Sequence, residues 1–141
     1  MPGCVLRISG PYERLRDTIR TAPVHFKESG QSRREREKGT SPADGRCTFN
    51  YTVSDADGAH VPLQISDAEI FLSAHGDELR VLLAGDGIND ACLDFGWEFP
   101  DDSLGQFNKF PHSLLHKCAD LRIAIEVSVY HAGKSDGDNV A

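Results

Sequence analysis

Long apolar runs are missing from this chain. None approaches the roughly 18 apolar residues that a membrane helix requires, and no charged start leads into an apolar stretch of the secretory type ahead of the first strand-like segment. Both absences lead us to expect a cytoplasmic protein of a bacterium or similar cell, with no membrane partner. In that setting the Asn50-Tyr51-Thr52 sequon is incidental, because glycosylation requires secretion. Cysteine is sparse: Cys4, Cys47, Cys92 and Cys118 stand far apart in apolar runs, with no C-x-x-C pair. Buried free thiols are therefore expected instead of a disulfide framework or a zinc site.

Catalytic motifs are absent too. The chain has no G-x-S-x-G elbow, no phosphate-cradling glycine loop and no H-E-x-x-H helix. Gly85-Asp86-Gly87 does not follow a strand, as a dinucleotide turn must. Asp55-Ala56-Asp57-Gly58 reads as a turn, because it lacks the third oxygen ligand and the distant Glu of a calcium loop. We accordingly expect no catalytic residue, no cofactor and no metal, and a protein that is not an enzyme.

What the chain does contain is enough to fold. Its 141 residues are 39% apolar and 26% charged, a balance that belongs to a globular domain and not to a disordered chain. Alternation predicts strands at Cys4 to Ile8, at Cys47 to Val53, at Ala91 to Phe99 and at Arg122 to Tyr130, the last with Ile123, Ile125, Val127 and Val129 inward. Helical spacing predicts a helix over 11 to 21 carrying Tyr12, Leu15 and Ile19. A second helix should start at the capping-box pattern Ser66-Asp67-Ala68-Glu69 and end by Gly85, with a kink near Gly76. A third opens at Pro111, with Leu114, Leu115, Cys118 and Leu121 on its stripe.

The chain is polar from Lys27 to Gly45, so residues 28 to 45 are expected to be a mobile loop, preceded by a short strand at Val24-His25-Phe26. Arg33, Arg34, Arg36 and Lys38 alternate with Glu35 and Glu37 there and lack an aromatic neighbour for stacking on bases. Strands and helices that are each apolar on one side only can bury both surfaces when the helices cover a single face of the sheet. The expected fold is thus α+β, a two-layer sandwich with a mostly antiparallel sheet and helices packed on one face. It forms a single domain over 1 to 132, followed by a disordered tail at 133 to 141. The open face would carry Thr48, Asn50, Thr52, Asp94, Glu98, Glu126, Ser128 and Tyr130.

Charge gives the sharpest signal. Residues 1 to 46 hold ten Lys and Arg against six Asp and Glu (+4), whereas residues 47 to 141 hold five against sixteen (−11). Asp86, Asp90, Asp94, Glu98, Asp101 and Asp102 fall within a stretch without a single Lys or Arg. Such a surface repels nucleic acid and attracts a basic protein. Asp94 and Glu98 should lie about 13 Å apart along one strand, too far for the two-carboxylate geometries of glycoside hydrolysis. His112 and His116 have metal-ligand spacing but no third partner in the sequence, and His75 sits on an apolar stripe between Phe71 and Leu79.

At Asp67-Ala68-Glu69-Ile70-Phe71-Leu72 to His75, Glu78-Leu79, Leu93-Asp94-Phe95-Gly96, Phe110-Pro111, Leu114-Leu115 and Ile125 to Tyr130, the chain resembles a group of small bacterial α+β proteins. The resemblance spans residues 66 to 131. Some proteins of this kind look like immunity proteins of toxin loci. The resemblance implies a protein that neutralises a cognate toxin, and the charge pattern makes it an acidic binding protein that would occlude the toxin's cationic active site or groove with Asp86, Asp90, Asp94, Glu98, Asp101 and Asp102 as the partner-binding residues. The alternative is a small hydrolase or metal-dependent enzyme using His75 or those carboxylates. A polar pocket around His75 favours the enzyme, and an open carboxylate-lined surface favours the binding protein.

Overall fold

In the computed structural model, residues 3–40, 45–102 and 104–131 are described. Among them nine elements follow one another: β1 (Cys4–Pro11), α1 (Tyr12–Ile19), β2 (Lys27–Glu28), α2 (Gly30–Glu37), β3 (Arg46–Ser54), α3 (Val61–Leu83), β4 (Asp90–Phe99), α4 (His112–Leu121) and β5 (Ala124–His131). The strands form one sheet in the order β2-β3-β1-β4-β5, with every pair antiparallel except β4 and β5. Helix α4 makes the long return that a parallel pair requires. The fold is α+β, as the one-sided periodicities predict. The tail expected at 133 to 141 lies outside the described residues.

Alternation decides which face is buried. Cys4, Leu6 and Ile8 of β1 are inaccessible to solvent, and they meet Cys47 and Phe49 of β3 and Leu93, Phe95 and Trp97 of β4 on the same side. Leu15 of α1, Ala68, Phe71, Leu72, Leu79 and Leu82 of α3, and Leu114, Cys118 and Leu121 of α4 close over them. Each large side chain removed from water here contributes about 1.5–3 kcal/mol. Phe110, from the segment before α4, stacks on Trp97 at 5.5 Å between ring centroids and tilts against Phe95 at 5.1 Å. At the other side Tyr51 stacks on Phe71, which in turn meets the imidazole of His75.

Two close approaches hold the elements in place. Gly87, at φ +84°, lies so near β1 that a Cβ built on Gly10 would stand 1.7 Å from its carbonyl oxygen. Thr18 donates its hydroxyl to the Asp86 carbonyl at 2.7 Å, and Asn89 N–H donates to the Ser9 carbonyl at 2.9 Å, so the turn after α3 is clamped to β1 and α1. Gln64, fully buried on α3, donates its amide to the carbonyls of Ala56, Asp57 and Gly96 at 2.9–3.2 Å. The turn at 55–58 is thereby tied to β4.

Four expectations are corrected. Residues 30 to 37 form helix α2, not loop, and the short strand is Lys27–Glu28 instead of Val24 to Phe26. The Arg and Glu side chains that make this segment look solvated are its own support: Arg33 pairs with Glu37, Gln31 donates to Glu35, and Arg36 donates twice to Glu28. Helix α3 begins at Val61, with Pro62 in its first turn, and not at Ser66. The expected capping box does not form, because Ser66 already lies inside the helix and Glu69 is turned to Ser113 and Lys117 of α4, while Asp67 accepts a hydrogen bond at 2.7 Å from Ser54 of β3. The expected kink does occur, at His75, one residue before Gly76. Finally, Leu115 and Val129, both expected inside, are 44% and 59% exposed, because the helix layer stops short of the β5 edge.

Candidate functional site

The sheet face opposite the helices carries one polar residue per strand in a row. Arg7 of β1 donates through Nε to Asn50 Oδ1 of β3 at 3.3 Å, and its Nη1 lies 3.2 Å from Asp94 of β4. Asp94 also accepts the Ser128 hydroxyl of β5 at 2.8 Å. Glu126 of β5 stands directly beside Asp94 in the parallel register, with its side chain 59% exposed and 3.8 Å from the same Arg7 guanidinium. One cation thus serves two carboxylates. Ser9 and Thr48 share a hydrogen bond of 3.1 Å on this face.

The six carboxylates expected to form the partner surface are distributed over the length of β4. Asp90 is exposed beside Ser9, Asp94 is central, and Glu98 pairs with Tyr130 near the far end. These three share the open face by alternation. Asp86 instead belongs to the clamped turn, where Arg14 of α1 lies 3.4 Å from its carboxylate. Asp101 and Asp102 are exposed in the turn beyond the strand. With ten residues in β4, its two ends are about 30 Å apart. Asp94 and Glu98 therefore keep the strand spacing that separates them beyond the reach of paired-carboxylate catalysis.

Counter-charges for Asp94 come from β1, some ninety positions away in sequence, which is why a local reading finds none. Glu126, exposed and next to Asp94, was placed on the open face by alternation alone, and only the parallel pairing of β4 with β5 brings it to Asp94. The surrounding field is legible in Cys92, whose thiol faces the same side. Burial first, then Glu126, Asp90 and Asp94, push its pKa up to about 11. At neutral pH it is a thiol and not a nucleophile.

His75 lies on the other side of the sheet, in the helix layer, with its side chain 30% exposed. Its Nδ1 has no hydrogen-bond partner, Glu78 being 3.8 Å away. His75 and the open-face carboxylates are not brought together. His112 and His116 are exposed on α4, and among the described residues no three His, Cys, Asp or Glu side chains converge to hold a metal.

No family model, curated protein or solved structure matches this chain. The site therefore rests on its own geometry.

A cleft of about 530 Å³ between α1 and residues 22 to 28 was not legible in the sequence, since its walls come from segments of different character. Ile19, Val24, Phe26 and Phe49 give it an apolar lining, and Arg16 and Arg20 line it as well. Both arginines have carboxylate partners on α1: Arg16 lies 3.4 Å from Glu13 and Arg20 3.7 Å from Asp17. Asp57 and Asp120, both held below the usual carboxyl range, serve local structure. The Ala59 amide and then His60 lower the first, and Arg80 lowers the second.

Proposed function

We propose that this protein is a binding protein whose β4–β5 open face docks a basic protein partner, and that the partner is a toxin whose cationic active site or groove it covers. One observation carries the binding reading. On the part of the open face built by β1, β4 and β5, Asp90, Asp94, Glu98 and Glu126 are accompanied by a single cation, Arg7. Asp94, 12% exposed, is held in a row through Asn50, Arg7 and Ser128 and gives the face a fixed negative charge, which leaves direct contact with a partner cation to its more exposed neighbours. Exposed Asp90 and Glu126 on either side act on encounter, where complementary charge raises the association rate more than it lengthens the complex lifetime. A nuclease-type toxin holds its anionic substrate with Lys and Arg, and carboxylates spaced along a strand present those groups with a substitute charge.

The experiment is to recover the partner from the native host with the immobilised protein, then to titrate the purified partner with wild type and with the double variant E98K/E126K. Wild-type affinity should fall as salt rises, the double variant should associate at least about tenfold more slowly at low salt, and circular dichroism should show both proteins folded. Expression of the partner alone should arrest growth, and co-expression of this protein should restore it. Equal association rates for folded wild type and variant would remove the acidic-face reading. A harmless partner would remove the toxin assignment.

A further inference from the structure

We propose that β5 is a pairing edge, and that two copies of this protein join antiparallel through it to make one continuous ten-stranded sheet. The two edges of the sheet are built differently. At one end β2 is only two residues long and carries Lys27, the usual way of blunting an edge. At the other end β5 runs for eight residues, Ala124–His131, in unbroken register with β4 and without Pro, Lys or bulge. Among the described residues nothing pairs with its outer side. Such an edge presents a row of backbone donors and acceptors that is a template for another strand.

Side chains along this edge favour a strand with an apolar face. Val129 is 59% exposed on the helix side of the sheet, although alternation marks it as an inward residue. Leu115 of α4 is 44% exposed above the same edge. Its direction follows from the helix: Glu69 of α3 accepts the Ser113 hydroxyl and lies 3.9 Å from Lys117 Nζ, so those two residues face α3. At about 100° per residue Leu115 points roughly the opposite way, past β5. A second β5 laid alongside would cover Val129 and Leu115 of both copies.

The occupant is a second copy because β5 is complementary to itself. Antiparallel pairing centred on Val127 or Ser128 keeps Ile125, Val127 and Val129 on the helix side and sets Glu126 against Ser128 or Tyr130, never against the other Glu126. The pairing is isologous and closes at two copies, which a strand added at the short β2 edge would not do. Each copy carries −7, and the two-fold axis normal to the sheet places both acidic faces on one side. Dimerisation is therefore opposed by long-range repulsion that salt screens.

Sedimentation of the full chain tests this. Wild type should shift from monomer to dimer between about 5 and 200 µM, and further toward dimer when salt is raised, the opposite sign to binding of a basic partner. V129K places a charge on the inward side of the edge and should raise the dimer dissociation constant at least about tenfold with an unchanged circular dichroism spectrum. Hydrogen exchange on the wild type supplies a check that needs no variant: amides of residues 124 to 131 should gain protection at the higher concentration. A wild type that stays monomeric at about 200 µM overturns the proposal. So does a folded V129K that dimerises like wild type, or a dimer whose β5 amides exchange at the same rate at both concentrations.

Discussion

Cys4, Cys47, Cys92 and Cys118 are free and buried, and burial is the first cause that raises each thiol. Cys47, Cys92 and Cys118 are pushed up to about 11, and Cys4 higher. In the unfolded chain a thiol loses its proton near pH 8.5, so above that value the folded protein holds protons that the unfolded one has released. Stability from these groups is complete below the unfolded value and is lost as pH rises toward the folded ones. We expect the urea midpoint to fall steadily from pH 8.5 to about 10.5, and C118A to show a shallower slope over that range than wild type. An identical slope in the variant would mean that Cys118 does not contribute. The apolar context of each cysteine was legible along the chain. So were Asp90 and Asp94, two positions either side of Cys92 on the same strand face, whereas Glu126, the first carboxylate to raise it, reaches it only through strand pairing.

Helix α2 shows how an element can stand on very few contacts. It has no buried residue, and a helix of eight residues is marginal in water on its own. Arg36 anchors it, donating to both oxygens of Glu28 at 3.2 and 2.8 Å while its guanidinium lies 4.1 Å above the Tyr12 ring. The hydrogen bonds to Glu28 raise the Arg36 pKa above its ordinary value, so the guanidinium stays charged. R36A should strip exchange protection from the α2 amides while lowering the global thermal midpoint by no more than about 4 °C, on the order of 1 kcal/mol at this chain length. Loss of the whole fold would show that α2 is part of the cooperative core. Periodicity missed this helix because its support runs through charges, whereas the stripes of α1 and α4 and the kink of α3 near Gly76 register directly in the apolar pattern.

At the scale of the molecule, the core of one sheet face and three helices is continuous from Phe26 and Phe49 to Trp97 and Ile123. A core of this extent stands without covalent or metal staples. The thermal midpoint should accordingly move by less than about 8 °C when a chelator or a reductant is added, a change that would correspond to roughly 2 kcal/mol at this size. A larger drop with chelator would point to a metal held by residues outside those described, and one with reductant to a disulfide. Charge is the other molecular property: with −7 overall, association with a basic partner and association with a second copy must respond to salt in opposite directions.

Period and composition were sufficient for the class of fold, the inward faces of β1, β3 and β4, the free thiols and the polarity of the open face, because each follows from which side of a strand or helix a residue occupies. Partnership was not available at that level. Arg7 beside Asp94 and Glu126, Arg14 beside Asp86, and Ser54 beside Asp67 all depend on strand order and turn geometry. So does the exposure of Val129 and Leu115, whose apolar periodicity is that of core residues: β5 lies at the sheet edge, and there the second layer that would bury them ends.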